Sequence, residues 1–266
     1  MSESKAPLTR RDALTILGLG SLAVVSGKWI TDSDLFPLQT EPQVKAPERA
    51  GRHRWAMVIS MERCTGCDYC TYACQATKNT PDSIFWNALS HEFTSQGREY
   101  HIARPCLHCE NPPCTDVCPV GATYRRDDGL VVMDYDKCIG CRYCMVACPY
   151  GARYFNWQDP KDEPRSNIPE WGEPEVDMRP RGVVEKCTFC IERLDRAEAE
   201  GLTPGKDYEV TPACVNACPA EARFFGDLND PDSKVSQLIR QHPTMRLRED
   251  LGTGPRVYYI PPEGGL

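Results

Sequence analysis

The chain is predicted to be an α+β protein of low regular content, built as two small repeated modules around bound metal. Three observations predict it. The first is cysteine spacing: all sixteen cysteines fall into four sets of four. Cys64, Cys67, Cys70 and Cys74 follow C-x₂-C-x₂-C-x₃-C. Cys106, Cys109, Cys114 and Cys118 have a wider middle gap, and Cys138, Cys141, Cys144 and Cys148 repeat the first spacing with Pro149 after it. The last set is split into Cys187 and Cys190, then Cys214 and Cys218. The second observation is a repeat beyond cysteine: Cys118-Pro-Val-Gly-Ala-Thr-Tyr124, Cys148-Pro-Tyr-Gly-Ala-Arg-Tyr154 and Cys218-Pro-Ala-Glu-Ala-Arg-Phe224. The third is proline, 23 of 266 residues, above the usual share of about one in twenty. That excess suits a chain organised by ligand loops.

Sixteen thiolates at this spacing match the ligands of four [4Fe–4S] clusters, in two ferredoxin-like dicluster modules. Three cysteines at C-x₂-C-x₂-C wrap one cubane, while the fourth points towards a partner cluster. Proline then stops the short helix carrying that fourth cysteine, because it lacks an N–H and restricts the residue before it. Pro119, Pro149 and Pro219 do this in three sets; the first has Gln75 instead, so its turn is expected to differ. A disulfide framework does not predict C-x₂-C loops closing with C-x₃-C-P. Structural zinc takes two C-x₂-C pairs without a tight third cysteine. Four clusters in one small chain imply single-electron transfer along a row.

The elements follow from short apolar runs. Trp55–Ile59, Leu130–Met133 and Val183–Val184 read as strands running into the first cysteine of three sets. Tyr124, Tyr154 and Phe224 mark where the next strands begin, each expected to cover a cluster face. Arg125-Arg-Asp-Asp-Gly-Leu130 reads as a hairpin with Asp128-Gly129 at the turn. Asp232 to Arg240 reads as a short capped helix and Arg256 to Ile260 as a closing strand. Arg63, Lys137 and Lys186 stand directly before a first cysteine, either as solvated strand ends or as charges beside an anionic cluster that raise its potential. With so little conventional core, the metal-free chain is expected to be largely unfolded.

Net charge is −7, which argues against a nucleic-acid partner. No glycine-rich phosphate loop supports a flavin or nicotinamide site. His53, His91, His101 and His242 are scattered in sequence; His108, inside the second loop, either bonds a cluster sulfur or is structural. No catalytic residues and no small-molecule substrate are expected. A cluster acting as a reactive centre generally lacks a ligand, and no set here is short of a cysteine. A carrier is therefore favoured over a self-contained redox enzyme or sensor.

The order of the four sets, the split fourth set and the run Gly182-Val-Val-Glu-Lys-Cys-Thr-Phe-Cys190 resemble the four-cluster electron-transfer subunits of the dimethyl sulfoxide reductase superfamily. Related subunits serve polysulfide, tetrathionate and nitrite reductases, formate dehydrogenases and quinol-oxidising complexes. The resemblance covers roughly residues 55 to 260. It implies a crossed ligand assignment: Cys64, Cys67 and Cys70 with Cys218; Cys187, Cys190 and Cys214 with Cys74; Cys106, Cys109 and Cys114 with Cys148; Cys138, Cys141 and Cys144 with Cys118. An outer module would then comprise residues 55–104 and 181–231, with an inner module at 105–157 inserted between them. Residues 158–180 would be an insertion loop and 232–266 a C-terminal extension. The implied partners are a molybdopterin-type (molybdenum or tungsten) catalytic subunit and a polytopic quinone-reactive membrane subunit. The alternatives are a multihaem cytochrome quinol-oxidising complex and a hydrogenase-linked assembly.

Thr9-Arg10-Arg11-Asp12-Ala13-Leu14 and the apolar stretch to Val25 resemble a twin-arginine export signal over residues 1–28. That route carries folded proteins to the outer, periplasmic face of the cytoplasmic membrane. The signal is either cleaved or kept as an anchor; from Ala13 to Ser26 it is too short to span a bilayer comfortably. Residues 29–54 form a proline-containing tether. In the insertion loop, Trp171, like the preceding Trp157, either contacts a neighbouring subunit or packs on its own chain.

Overall fold

The computed structural model describes residues 52–263; the expected export signal and nearly all of the expected tether lie outside the described residues. Its central sheet is three-stranded. Strand β1 (Trp55–Ser60) is buried along its whole length, and its near-continuous apolar run fits a strand covered on both faces. It pairs antiparallel with β8 (Arg223–Asp227), in the register Trp55 opposite Asp227, and parallel with β9 (Val257–Ile260), Met57 opposite Val257. Alternation along β1 sends Met57 and Ile59 towards the cysteine loops. Val58 points the other way, against Val235 and Leu238 of helix α6 (Lys234–Gln241). The expected capped helix is this one, held by Ser233, whose Oγ accepts from the Ser236 N–H. Residues 232 onward are therefore built into the sheet rather than appended to it.

Three two-stranded ladders complete the strands. β2 (Asn87–Phe93) pairs with β3 (Glu99–Pro105), β4 (Thr123–Arg125) with β5 (Val131–Met133), and β6 (Tyr154–Phe155) with β7 (Val184–Glu185). The β4–β5 turn is the expected hairpin: Gly129, at φ +83°, donates to Arg126 O and Arg126 donates to Leu130 O. The β2–β3 hairpin was not anticipated.

Cysteine-bearing helices come in two lengths, and proline decides which. α2 (Pro113–Asp116), α3 (Tyr143–Val146) and α5 (Ala213–Asn216) stop after one turn ahead of Pro119, Pro149 and Pro219. α1 (Tyr69–Lys78), with Gln75 at that place, continues for ten residues. Gln75 Nε2 donates to the carbonyls of Asp82 and Ile84, and Gln75 Oε1 accepts from Asn167. A further helix, α4 (Ile191–Glu200), starts directly after Cys190. The insertion loop folds over its own chain. Glu175 N–H donates to Thr77 O on α1, and Arg179 donates to Glu185 and to the carbonyls of Lys78 and Asn79. Trp171 packs on Tyr69 and Tyr72.

Candidate metal centres

The cysteine loops and the short helices that follow them bring the sixteen thiols into four groups. Cys64, Cys67, Cys70 and Cys218 line one cavity, with Ile59, Leu89 and Arg223 in its wall. Cys74, Cys187, Cys190 and Cys214 line a second, walled by Met57, Trp86 and Phe189. Cys118, Cys138, Cys141 and Cys144 line a third, beside Ile139 and Val184. In the fourth group the charges of Cys106, Cys114 and Cys148 all act on Cys109. The turns are set by left-handed residues: Gly66 and Gly140 inside the C-x₂-C loops, and Asp68 and Arg142 at the helix starts.

These groups fit a polynuclear centre better than single ions. A tetrahedral zinc–thiolate site, with Zn–S near 2.3 Å, holds its sulfurs roughly 3.8 Å apart. Among the described residues no three thiols come within 4.8 Å of one another; instead three of the groups line small pockets in sets of four. No cysteine is in a disulfide. Burial pushes the Cys109 and Cys187 thiols up to about 12 and Cys214 to about 11. Thiols raised that far stay protonated unless a thiophilic metal displaces the proton. Sulfur acceptors are already met by donors: Asn87 Nδ2 to Cys70 Sγ at 3.1 Å, Phe189 N–H to Cys187 at 3.4 Å and Ala222 N–H to Cys218 at 3.3 Å.

Several expectations change at this level. His108 is structural: it is fully buried, its Nδ1 accepts from the Val131 N–H, its Nε2 faces Cys187 O, and its ring stacks on Phe189. Burial holds it well below the usual imidazole range, and no sulfur bond is made. Of the three pre-cysteine bases, Arg63 and Lys137 are solvated and paired with Glu221 and Asp134. Lys186 alone is buried among the thiols. His91 and His101 are not scattered; they face each other across β2–β3 beside Glu99, Nδ1 of His91 lying 3.2 Å from the carboxylate. Trp157 is 62% exposed, in edge contact with Phe155 and beneath the Arg142 guanidinium.

Tyr124 does not cover a cluster face; it is 44% exposed. Strand alternation turns the residue before it inward, and the buried residues at the corresponding positions are Thr123, Arg153 and Arg223. The Arg153 charge acts on Cys114 and Cys144, and the Arg223 charge on Cys70 and Cys214. The twice-repeated Ala-Arg five residues past a cysteine was the available signal for both.

Models of the 4Fe–4S dicluster domain match residues 98–163 and 137–222. The chain is 42% identical over 236 residues to the iron–sulfur cluster-binding subunit of menaquinone reductase from Nitratidesulfovibrio vulgaris, covering 78% of this chain and 88% of that one. It is 41% identical over 239 residues to the arsenate respiratory reductase iron–sulfur subunit of a Shewanella species, covering 78% and 96%. One subunit of the tetrathionate reductase of Salmonella typhimurium is 35% identical over 238 residues, covering 86% and 82%. This chain belongs to the iron–sulfur subunits of respiratory oxidoreductases. As a member of that family it carries four [4Fe–4S] clusters in two dicluster modules of α+β type and serves as an electron-transfer subunit.

Proposed function

We propose that this iron–sulfur subunit conducts electrons between a molybdenum- or tungsten-pterin catalytic subunit and a polytopic quinone-reactive membrane subunit, and performs no chemistry of its own. The observation that carries the reading is that each thiol group adjoins the next, so that the four connect. Cys70 of the first group acts on Cys214 of the second, Cys187 of the second senses Cys106, and Arg153 lies between Cys114 and Cys144 of the third and fourth. The two exposed cysteines, Cys67 and Cys141, belong to the two end groups.

We assign Cys64, Cys67, Cys70 and Cys218 to one cluster and Cys74, Cys187, Cys190 and Cys214 to its neighbour. Cys106, Cys109, Cys114 and Cys148 hold the third, and Cys118, Cys138, Cys141 and Cys144 the fourth. Bound clusters supply one-electron reduction and reoxidation at potentials set by charge, solvent and hydrogen bonds. The chain's part is to hold the thiolates, to keep water from the inner sites with Met57, Trp86, Phe189 and Leu107, and to leave the end loops reachable. In this reading residues 55–104 and 181–231 form one module around the inserted 105–157. The arginine pair at Arg10 and Arg11 supports export in the folded state to the outer face of the cytoplasmic membrane, where partners or a retained signal hold the subunit. A menaquinone reductase subunit among the relatives supports a quinone-linked end.

The test is anaerobic affinity purification from gently solubilised membranes, with mass spectrometry and metal analysis. Iron with molybdenum or tungsten, a large pterin-binding subunit and a polytopic subunit is the expected result. Covalent haem in place of the pterin metal would move the subunit to a cytochrome-linked quinol complex. Zinc without iron would overturn the reading.

A further inference from the structure

The row of thiol groups has three gaps, and a buried base without a carboxylate partner occupies each. Arg223, between the Cys64 and Cys74 groups, is 4% exposed. Its Nη2 donates to Asn87 Oδ1 at 2.8 Å and lies 3.3 Å from Met57 Sδ, while Nε and Nη1 have no partner. Lys186, between the Cys74 and Cys106 groups, is fully buried; its Nζ donates only to the carbonyls of Val131 and Cys187, and its charge acts on Cys187 and on Cys114. Arg153, between the Cys106 and Cys138 groups, is 4% exposed and donates to Thr123 Oγ1 at 2.8 Å and to Met133 Sδ at 3.2 Å.

Of the other buried bases among the described residues, Lys78, Arg179 and Arg193 are matched by Glu192, Glu185 and Glu175, while Arg256 donates to the Asp128 carbonyl and has no thiol acting on it. A buried cation left with neutral partners costs several kcal/mol by the usual rules, so something else must offset these three. What faces them is thiols. Burial opposes the Arg223 charge, and Cys214, Cys70 and Cys218 more than offset it; Cys114, Cys144 and Cys106 do the same for Arg153. The two arginines also occupy equivalent places, five residues after Cys218 and Cys148, so the arrangement recurs in both modules.

Taking the four-cluster row as given, we infer that Arg223, Lys186 and Arg153 are junction cations, each shared by the two clusters beside it and holding both at a higher potential. A positive charge in a low-dielectric gap stabilises an added electron on either side of it. Because it favours both neighbours, it keeps them reducible without placing a step between them. A charge next to one cluster alone would create such a step.

The test is an EPR-monitored redox titration of the full chain in its native complex, with iron content measured on each sample. Arg153→Met should lower two of the four midpoint potentials, each by a tenfold or greater change in the reduction equilibrium, which is 59 mV for a one-electron couple. Arg223→Met should lower the other two, and Lys186→Met one from each pair. Arg153→Lys should leave all four in place. At full iron content, a shift of a single cluster, a common shift of all four, or no shift overturns the inference. If Arg153→Met does not load, Arg153→Gln beside Arg153→Lys decides the matter. Potentials lowered only in the glutamine variant, or loading by the lysine variant alone, support a role for charge. Equal behaviour of the two, including failure of both to load, overturns it. A wild-type chain without iron would instead sink the four-cluster reading itself.

Discussion

Gly140 sits where two backbones meet. Its φ is +68°, and a Cβ there would stand 2.2 Å from the carbonyl oxygen of Gly182. An L-residue in that conformation costs about 1–2 kcal/mol before any clash is counted, and a peptide oxygen cannot swing aside. Gly66 holds the equivalent place in the first set, but the nearest atoms to its Cβ would be those of the His101 ring at 2.8 Å, a side chain rather than a backbone carbonyl. Gly140→Ala is therefore expected to lose iron and lower the temperature at which visible cluster absorption bleaches, with Gly66→Ala clearly milder. The reverse order would mean that the turn at Gly182 shifts freely. The crossed assignment is tested at the same scale. Cys218→Ser and Cys64→Ser should alter the same EPR signal, cutting iron by about a quarter at most, since each touches one cluster of four. Cys214→Ser should alter a different one. Cys218→Ser and Cys214→Ser altering one common signal would break the assignment.

At the scale of elements, Gln75 and Arg179 decide how far the first module extends. Gln75→Pro would remove an N–H within α1 and the side-chain bonds to Asp82, Ile84 and Asn167, a loss of ~3 kcal/mol or more. Gln75→Ala removes only the side-chain bonds, about 1–2 kcal/mol. Thermal bleaching midpoints should rank wild type, alanine, proline in descending order; equal midpoints for the two variants would mean that helix continuation is immaterial. Arg179→Ala leaves Glu185 buried without its cation, on the order of 3–5 kcal/mol. Because Arg179 also holds the carbonyls of Lys78 and Asn79, hydrogen exchange should rise first in residues 158–180 and the end of α1. Exchange confined to the β6–β7 ladder would contradict this. Here the sequence was only partly legible. Proline predicted the one-turn helices and its absence at Gln75 the departure in the first set, because those signals are local. The β2–β3 hairpin escaped because its outer half, through His91, Glu92 and Phe93, lies in solvent and shows no clean alternation. Helix α4 escaped because only Arg193, Leu194 and Ala197 of its charged run are buried. The inward arginines were hidden behind the more conspicuous aromatics one residue later.

For the whole molecule, the thiol groups and the apolar core are one object. Cys70, Cys74, Cys109, Cys187 and Cys214 belong to the same buried cluster as Met57, Ile59, Trp86, Leu107, Leu130 and Tyr259, so the centres cannot be emptied without opening the core. The assigned ligand sets also join distant segments, Cys64 to Cys218 and Cys74 to Cys187, and the thiols carry no disulfide to hold those loops closed. Collapse into the sites is opposed by Arg153, Lys186 and Arg223, which would then be buried against neutral thiols. Removing iron anaerobically with a chelator should therefore abolish most far-UV circular dichroism and expose the chain to protease, and iron with sulfide under reducing conditions should restore both. A cluster-free chain that kept its circular dichroism and resisted protease would show that the apolar contacts suffice alone.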